Sequence, residues 1–324
     1  MPAPAARPSI LLTRKLPEAV EKRAIRDFDA RLNADDVALD PQTMARAAEG
    51  CAGVLVCAVD KVGAETIDRL PASVKIVATF SVGTDHIDLG AAKRRGIVVT
   101  NTPDVLTDAT ADIALLLMLA AARRGSEGER MIRANGWTGW TPTQLLGTHM
   151  TGKTLGIVGM GRIGQAVARR ARAFDMTVRY YNRKRLGPAE ENGATFHASV
   201  DDLLPHADFL SVHCPLTPDT RHLINARRIA LLPRGAILVN TARGPVLDDQ
   251  AVVAALRSRH LAAAGLDVYD GEPVVPADYL TLDNVVLLPH LGSATTETRV
   301  AMGNRALDNL DAYFAGKPPA DRVA

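Results

Sequence analysis

A glycine pattern near the middle of the chain, Gly159-Met160-Gly161-Arg162-Ile163-Gly164, stands directly behind the apolar run 154–158. No other feature narrows the choice of fold so much. A buried strand that turns into a helix within a few residues needs one glycine for the reversal. It needs a second where the main chain approaches a pyrophosphate, and a third where helix and strand touch. Residues 166–174 continue as a helix, whose N-terminus offers unpaired N–H groups and a partial positive charge to a diphosphate. A second strand is expected over 177–181. In NAD-binding versions its end carries an Asp or Glu for the ribose 2′-hydroxyl, roughly 20 residues beyond the glycines. Asn182 holds that place here, 18 residues after Gly164, and Arg183, Lys184 and Arg185 follow it. An uncharged amide beside three cations suits a 2′-phosphate, which predicts a preference for NADP(H) with NAD(H) also accepted. A solvated basic loop is the alternative reading of the cations.

The chain has 324 residues, enough for two domains with separate cores, and its 47% hydrophobic content is that of an ordinary globular protein. A formal net charge of +2 supplies no general attraction to nucleic acid or to a membrane surface. Cys51, Cys57 and Cys214 form no CxxC pair, and an odd count argues against a disulfide framework. The opening residues 1–8 contain no apolar core of signal-peptide length, and the longest apolar run, 113–122, is too short to span a bilayer. These features favour a cytoplasmic protein. No His, Cys and Asp cluster has metal-ligand spacing, so no metal is expected.

The first hundred residues alternate strand-like runs (9–13, 53–57, 76–80, 98–100) with helical patterns such as 17–32, which describes a small parallel α/β domain. After Asn101-Thr102-Pro103 a long Ala- and Leu-rich helix over 108–124 is expected to cross between domains, capped by Thr107 or Asp108. The doubly wound pattern then restarts. Six strands are expected, over 154–158, 177–181, 209–213, 236–240, 263–266 and 285–288, followed by a helix over 296–315 that returns to the first domain.

Ligands of open parallel sheets bind beyond the carboxyl ends of strands. Three segments stand there: Asn240-Thr241-Ala242-Arg243-Gly244, Gly265-Leu266-Asp267-Val268 with Asp270-Gly271-Glu272-Pro273, and Pro289-His290-Leu291-Gly292-Ser293. Taken singly, Arg243 reads as a surface ion pair, Glu272 as a turn cap, His290 as a core histidine and Asp267 as a helix N-cap. Together they place Arg, Glu and His at one sheet edge.

These segments, with Phe80-Ser81-Val82-Gly83-Thr84-Asp85-His86-Ile87-Asp88, closely resemble the D-isomer-specific 2-hydroxyacid dehydrogenases over nearly the whole chain. Gly136-Trp137-Thr138-Gly139-Trp140 and Gln144-Leu145-Leu146-Gly147 bring the likeness nearest to the glyoxylate/hydroxypyruvate reductases within that family. The resemblance implies two Rossmann-like domains. A doubly wound parallel-sheet cofactor domain, 104–293, is inserted into a smaller flavodoxin-like substrate domain, 1–103 and 294–324. It also implies that Arg243 grips the carboxylate of a small 2-oxo acid and that His290 is the general acid, held by Glu272, which favours the protonated imidazole. The resemblance further implies that the backbone N–H groups of Val82 and Gly83 form a second carboxylate clamp and that domain closure excludes water. Thr107, the glycine-turn residues, Cys214, Pro215, Thr241, Ala242, Asp267 and Gly292 line the cofactor site with Arg243 and His290. His86 and His213 read as structural. Trp137 and Trp140 fit either a core or a substrate pocket. A homodimer through the helix at 108–124 is implied as well. The expected reaction is NADPH-dependent reduction of glyoxylate or hydroxypyruvate to the D-2-hydroxy acid. A 2-ketogluconate reductase, a phosphite dehydrogenase and a non-catalytic dinucleotide sensor are the alternatives. Phosphoglycerate dehydrogenase fits less well, because its long forms carry an additional regulatory domain.

Overall fold

Parallel neighbours can be joined only by crossovers that pass over a face of their sheet, so alternating strands and helices yield layered α/β units. The computed structural model describes residues 7–324; the segment 1–6, part of the opening read for a signal peptide, lies outside the described residues. Two units result. Residues up to Leu106 together with Thr295–Ala324 form one, and Thr107–Ala294 form the other.

The first unit runs β1 (Ser9–Leu12), α1 (Glu18–Asp27), β2 (Asp29–Arg31), α2 (Pro41–Ala47), β3 (Gly53–Cys57), α3 (Ala64–Arg69), β4 (Ile76–Phe80), α4 (Leu89–Arg94) and β5 (Val98–Thr100). The second continues with α5 (Thr107–Ala122), α6 (Gly125–Arg133), β6 (Thr154–Val158), α7 (Arg162–Arg172), β7 (Thr177–Tyr181), α8 (Pro188–Glu191) and β8 (Thr195–His197). It closes through α9 (Val200–Leu203), β9 (Phe209–Val212), α10 (Ala226–Ile229), β10 (Ala236–Asn240), α11 (Asp249–Arg257), β11 (Leu261–Leu266), α12 (Ala277–Leu280) and β12 (Val285–Leu287). Helix α13 (Thr296–Phe314) belongs to the first unit again.

Both sheets are parallel throughout. The five-stranded one has the order β2-β1-β3-β4-β5, the flavodoxin-like arrangement. The seven-stranded one has the order β12-β11-β10-β9-β6-β7-β8, so its topological switch lies between β6 and β9, beside the glycine turn. Helices cover both faces of this sheet, which is why β10 reads Ala-Ile-Leu-Val-Asn and is buried at every position. Helix α5 carries little polarity beyond its first turn and buries Ala114, Leu117, Met118 and Ala121 against the sheet.

Three expectations are corrected. The helix expected over 17–32 ends at Asp27, because buried Phe28 turns extended and residues 29–31 add an edge strand beside β1. The helix expected over 108–124 does not cross between units: it starts at Thr107, lies wholly in the second, and stops where Arg124 turns left-handed (φ 53°). Short β8 is a seventh strand where six are expected, since its three residues carry no readable periodicity.

The backbone of β11 reaches α5 at Gly265, where a Cβ would lie 2.7 Å from the Leu117 Cβ. Gly265→Ala should therefore lower stability by about 1–3 kcal/mol through overpacking. Urea unfolding checks this, and a wild-type midpoint would show that the helix yields.

Candidate active site

The turn after β6 depends on close backbone approaches. Gly159 has φ 99°, and a Cβ there would lie 2.6 Å from the Cys214 nitrogen; at Gly164 it would lie 2.4 Å from the Gly159 carbonyl oxygen. Around Gly161, by contrast, a Cβ would meet nothing within 4 Å. Two of the three glycines thus close the turn on protein atoms, and the middle one faces open space at the start of α7. The first amides of that helix have no intrahelical acceptor, which is the geometry an anionic diphosphate needs. Ile163 packs partly into the core beneath them, and Arg162 is exposed. The Asn182 side chain is already engaged: its Oδ1 accepts from the Met160 N–H at 2.7 Å and so braces the turn.

Arg183 and Lys184 are exposed after β7. Arg185, the third cation of that run, lies instead against Glu191, with Nε 2.8 Å from Oε1 and Nη2 3.1 Å from Oε2. The Tyr180 hydroxyl donates to the same Oε1 at 2.6 Å. Bonds from Arg185 and Tyr180 hold the Glu191 carboxyl at about 2, well below the ordinary carboxylate range.

At the other strand ends the loops interlock. Asn240 Nδ2 donates to the Arg243 carbonyl at 2.9 Å and its Oδ1 accepts from the Ala242 N–H at 2.9 Å, so one buried amide shapes the turn that carries Thr241, Ala242 and Arg243. The next residue must be glycine. A Cβ on Gly244 would fall 1.9 Å from the Tyr269 carbonyl carbon and 2.2 Å from the Asp270 nitrogen, so the loops after β10 and β11 cross backbone against backbone. Tyr269 extends the lock through its hydroxyl, which donates to the Leu266 and Leu288 carbonyls at 3.1 and 2.9 Å.

Asp267 joins the last strand end to the other two. Its N–H donates to the Asn240 carbonyl at 3.0 Å, its carbonyl accepts from the His290 N–H at 2.9 Å, and its carboxylate accepts from Leu291 and Gly292 at 2.6 and 2.8 Å. Burial pushes its pKa up against these bonds. Asp267 caps no helix. Thr110 of α5 donates to the Gly292 carbonyl at 3.0 Å, and His290 itself is left-handed at φ 54°.

This framework brings Glu272 and His290 together. Glu272 Oε2 lies 2.7 Å from His290 Nδ1 while Oε1 accepts from the Tyr269 N–H at 2.9 Å. Burial opposes the Glu272 charge, but the bond from His290 and the nearby positive charges outweigh it, and the carboxyl pKa falls below its ordinary value. Arg243 is among those charges. With Nδ1 bound to a carboxylate, Nε2 is the ring nitrogen left to exchange a proton.

Other expected residues are more peripheral. Thr107 opens α5, and Cys214 contributes its main chain to the approach at Gly159 while burial pushes its thiol up to about 11. The Pro215 carbonyl accepts from Thr220. Thr241 lies 3.4 Å from His213 Nδ1, and Ser211 lies 2.8 Å from Nε2; burial holds that imidazole down at about 4, which suits a neutral structural histidine. Trp137 and Trp140 are exposed rather than core residues. In the first unit, Val82 and Gly83 follow β4, and His86 meets Thr79 Oγ1 at 3.0 Å. Asn240 and Tyr269 organise the site beside the expected binding residues; the strand-end position of Asn240 is its signal in the sequence, and Tyr269 has none. Among the described residues no group of three or more His, Cys, Asp or Glu side chains is placed to hold a metal ion, and no helix is long and apolar enough to cross a membrane.

Because the folded pKa of Glu272 is depressed, its pairing stabilises the protein fully above the ordinary carboxyl value of 4.5 and less as pH falls through the folded value. The stability lost in Glu272→Gln should accordingly be larger at about pH 6 than at about pH 3. Urea titrations at both pH values check the sign, and an equal loss at each would refute a stabilising Glu272 charge.

Comparison with known proteins identifies the family. The family model described as "D-isomer specific 2-hydroxyacid dehydrogenase, NAD binding domain" matches residues 115–292. The chain is 46% identical to the glycerate dehydrogenase of Hyphomicrobium methylovorum, with 95% of this chain and 96% of the relative covered. It is 41% identical to the glyoxylate reductase of Thermococcus litoralis over 98% of this chain and 97% of that one. Among solved structures, the NADPH-dependent glyoxylate/hydroxypyruvate reductase of Sinorhizobium meliloti in complex with NADP and malonate superposes with a TM-score of 0.86 at 36% identity, covering 98% and 97% of the two chains. The chain belongs to the D-isomer-specific 2-hydroxyacid dehydrogenases, enzymes that use a nicotinamide dinucleotide.

Proposed function

We propose that the protein reduces glyoxylate or hydroxypyruvate to the D-2-hydroxy acid with NADPH. The observation that carries this reading is the His290–Glu272 pair at 2.7 Å, with Arg243 contributing positive charge beside it at the same sheet edge. Arg243 binds the substrate carboxylate through its planar fork, which matches two carboxylate oxygens. In this reading the first unit, with the Val82 and Gly83 amides as carboxylate donors, is the substrate domain and the second is the cofactor domain. When bound, the nicotinamide supplies a hydride to the keto carbon. His290 Nε2 gives its proton to the keto oxygen as negative charge develops there, and Glu272, bonded to Nδ1, fixes the ring. The amides at the start of α7 take the diphosphate, with Thr107, Cys214, Pro215, Thr241, Ala242 and Gly292 around the rest of the dinucleotide.

NADP preference rests on Arg183 and Lys184, both exposed, since Arg185 is already paired with Glu191. Relatives called glyoxylate reductase and glycerate dehydrogenase support a two- or three-carbon acid, and the S. meliloti relative carries NADP. Leu116 and Leu119, exposed on α5, support a homodimer through that helix.

The deciding experiment is steady-state reduction of glyoxylate, hydroxypyruvate, pyruvate and 2-ketogluconate, with phosphite oxidation run in parallel, using each cofactor. The two small acids should give the highest kcat/KM, and a preference for phosphite or 2-ketogluconate would overturn the substrate. His290→Gln should lower kcat about 10²- to 10⁴-fold while NADPH affinity measured by fluorescence holds. Near-normal turnover would remove His290 from proton transfer. Arg183→Asp with Lys184→Ala should raise the KM for NADPH and leave that for NADH nearly unchanged, because only the 2′-phosphate loses its counter-charges. A wild-type enzyme indifferent to the two cofactors would defeat the argument.

A further inference from the structure

The turn after β4 has its carbonyls tied and its amides open. The Ser81 carbonyl accepts from the Thr102 N–H at 2.9 Å, the Val82 carbonyl from Asn101 Nδ2 at 2.8 Å, and the Gly83 carbonyl from the Ser81 hydroxyl at 2.7 Å. Three successive acceptors are thereby occupied from within the unit. Neither the Val82 nor the Gly83 N–H donates a hydrogen bond among the described residues. A turn with occupied carbonyls and unused amides presents donors to an anion and keeps its own oxygens, which would repel a carboxylate, turned to other partners.

The groups doing the tying are themselves held. Buried Ser81 meets Thr79 Oγ1 at 2.8 Å, and Thr79 meets His86 Nε2 at 3.0 Å. The Asn101 N–H donates to the Asp321 carbonyl at 3.2 Å, and Asn309 Nδ2 donates to the Asn101 carbonyl at 3.3 Å. Asn309 and Asp321 are buried, bonded to each other at 2.9 Å, and Asp321 is gripped by Arg305 at 2.6 and 2.8 Å. Asn101 thus stands between the turn and a polar cluster formed by α13 with Asp321 beyond its end. Its side chain links that cluster to the Val82 carbonyl.

We propose that Asn101 and Ser81 are positioning residues for the substrate carboxylate: by holding the Val82 and Gly83 carbonyls they keep the two amides of the turn aligned as anion donors. The inference rests on the reading of Val82 and Gly83 as a carboxylate clamp. It adds what keeps that clamp in shape, and assigns to Asn101 and Ser81 a part in substrate affinity without contact to the substrate.

The test measures KM for glyoxylate and for NADPH in Asn101→Ala and Ser81→Ala beside the wild type, with the urea midpoint of each. Loss of one holding bond should raise the glyoxylate KM about three- to tenfold, with the NADPH KM within about twofold, because the cofactor amides belong to the other unit. Asn101→Asp keeps the shape and removes the donor, so it should give the same split if Asn101→Ala is too unstable to assay. An unchanged glyoxylate KM, or both KM values rising in step with lost stability, overturns the proposal. If the wild type reduces no 2-oxo acid, the clamp reading fails first, and the two failures are told apart by the wild-type assay alone.

Discussion

The buried carboxylate and main chain of Asp267 join three strand ends that would otherwise carry independent loops. Its N–H meets the end of β10, its carbonyl receives the His290 amide, and its side chain accepts from the Leu291 and Gly292 amides after β12. A charge with no solvent exposure is stable only when so fully bonded, which makes the arrangement rigid. His290 is held left-handed in that loop, and its ring meets Glu272 through the bond at Nδ1.

A second constraint is steric. Gly244 lets the loop carrying Arg243 lie backbone to backbone on Tyr269 and Asp270, two residues before Glu272 at the nearer end. The cation and the acid–base pair therefore share one small region, although they come from different crossovers. Parallel topology puts all these loops at one edge, and the crossing at Gly244 with the knot at Asp267 converts a shared edge into a defined constellation. Charge follows geometry, since the Glu272 pKa is lowered by groups that only these contacts bring near.

Much of this was legible from residue order. Glycine spacing located the β6–α7 turn, and apolar runs located most strands, because buried parallel strands are nearly continuous in hydrophobicity. Segment 29–31 reads as the end of a helix and 195–197 as no element at all, because three-residue edge strands have too little pattern to read. The helix at 108–124 shows another limit: its apolarity was plain, while its docking partner was not, and β11 meets it through Gly265. Arg183, Lys184 and Arg185 are equivalent as a string of cations, yet Glu191 and Tyr180, six and five residues away from Arg185, engage only the last.

The sequence by itself determined the fold class, the turn that suits a dinucleotide and the residue types at each strand end, because these depend on local spacing and on hydrophobic pattern along the chain. Tertiary structure alone decided which of those residues work together. Asn182 braces the glycine turn, Arg185 turns to Glu191, Asp267 ties strand ends rather than capping a helix, and Asn101 reaches the Val82 carbonyl. Hydrogen-bond partners that arrive from other strands and helices leave no trace in local order, since they are chosen by how the layers pack.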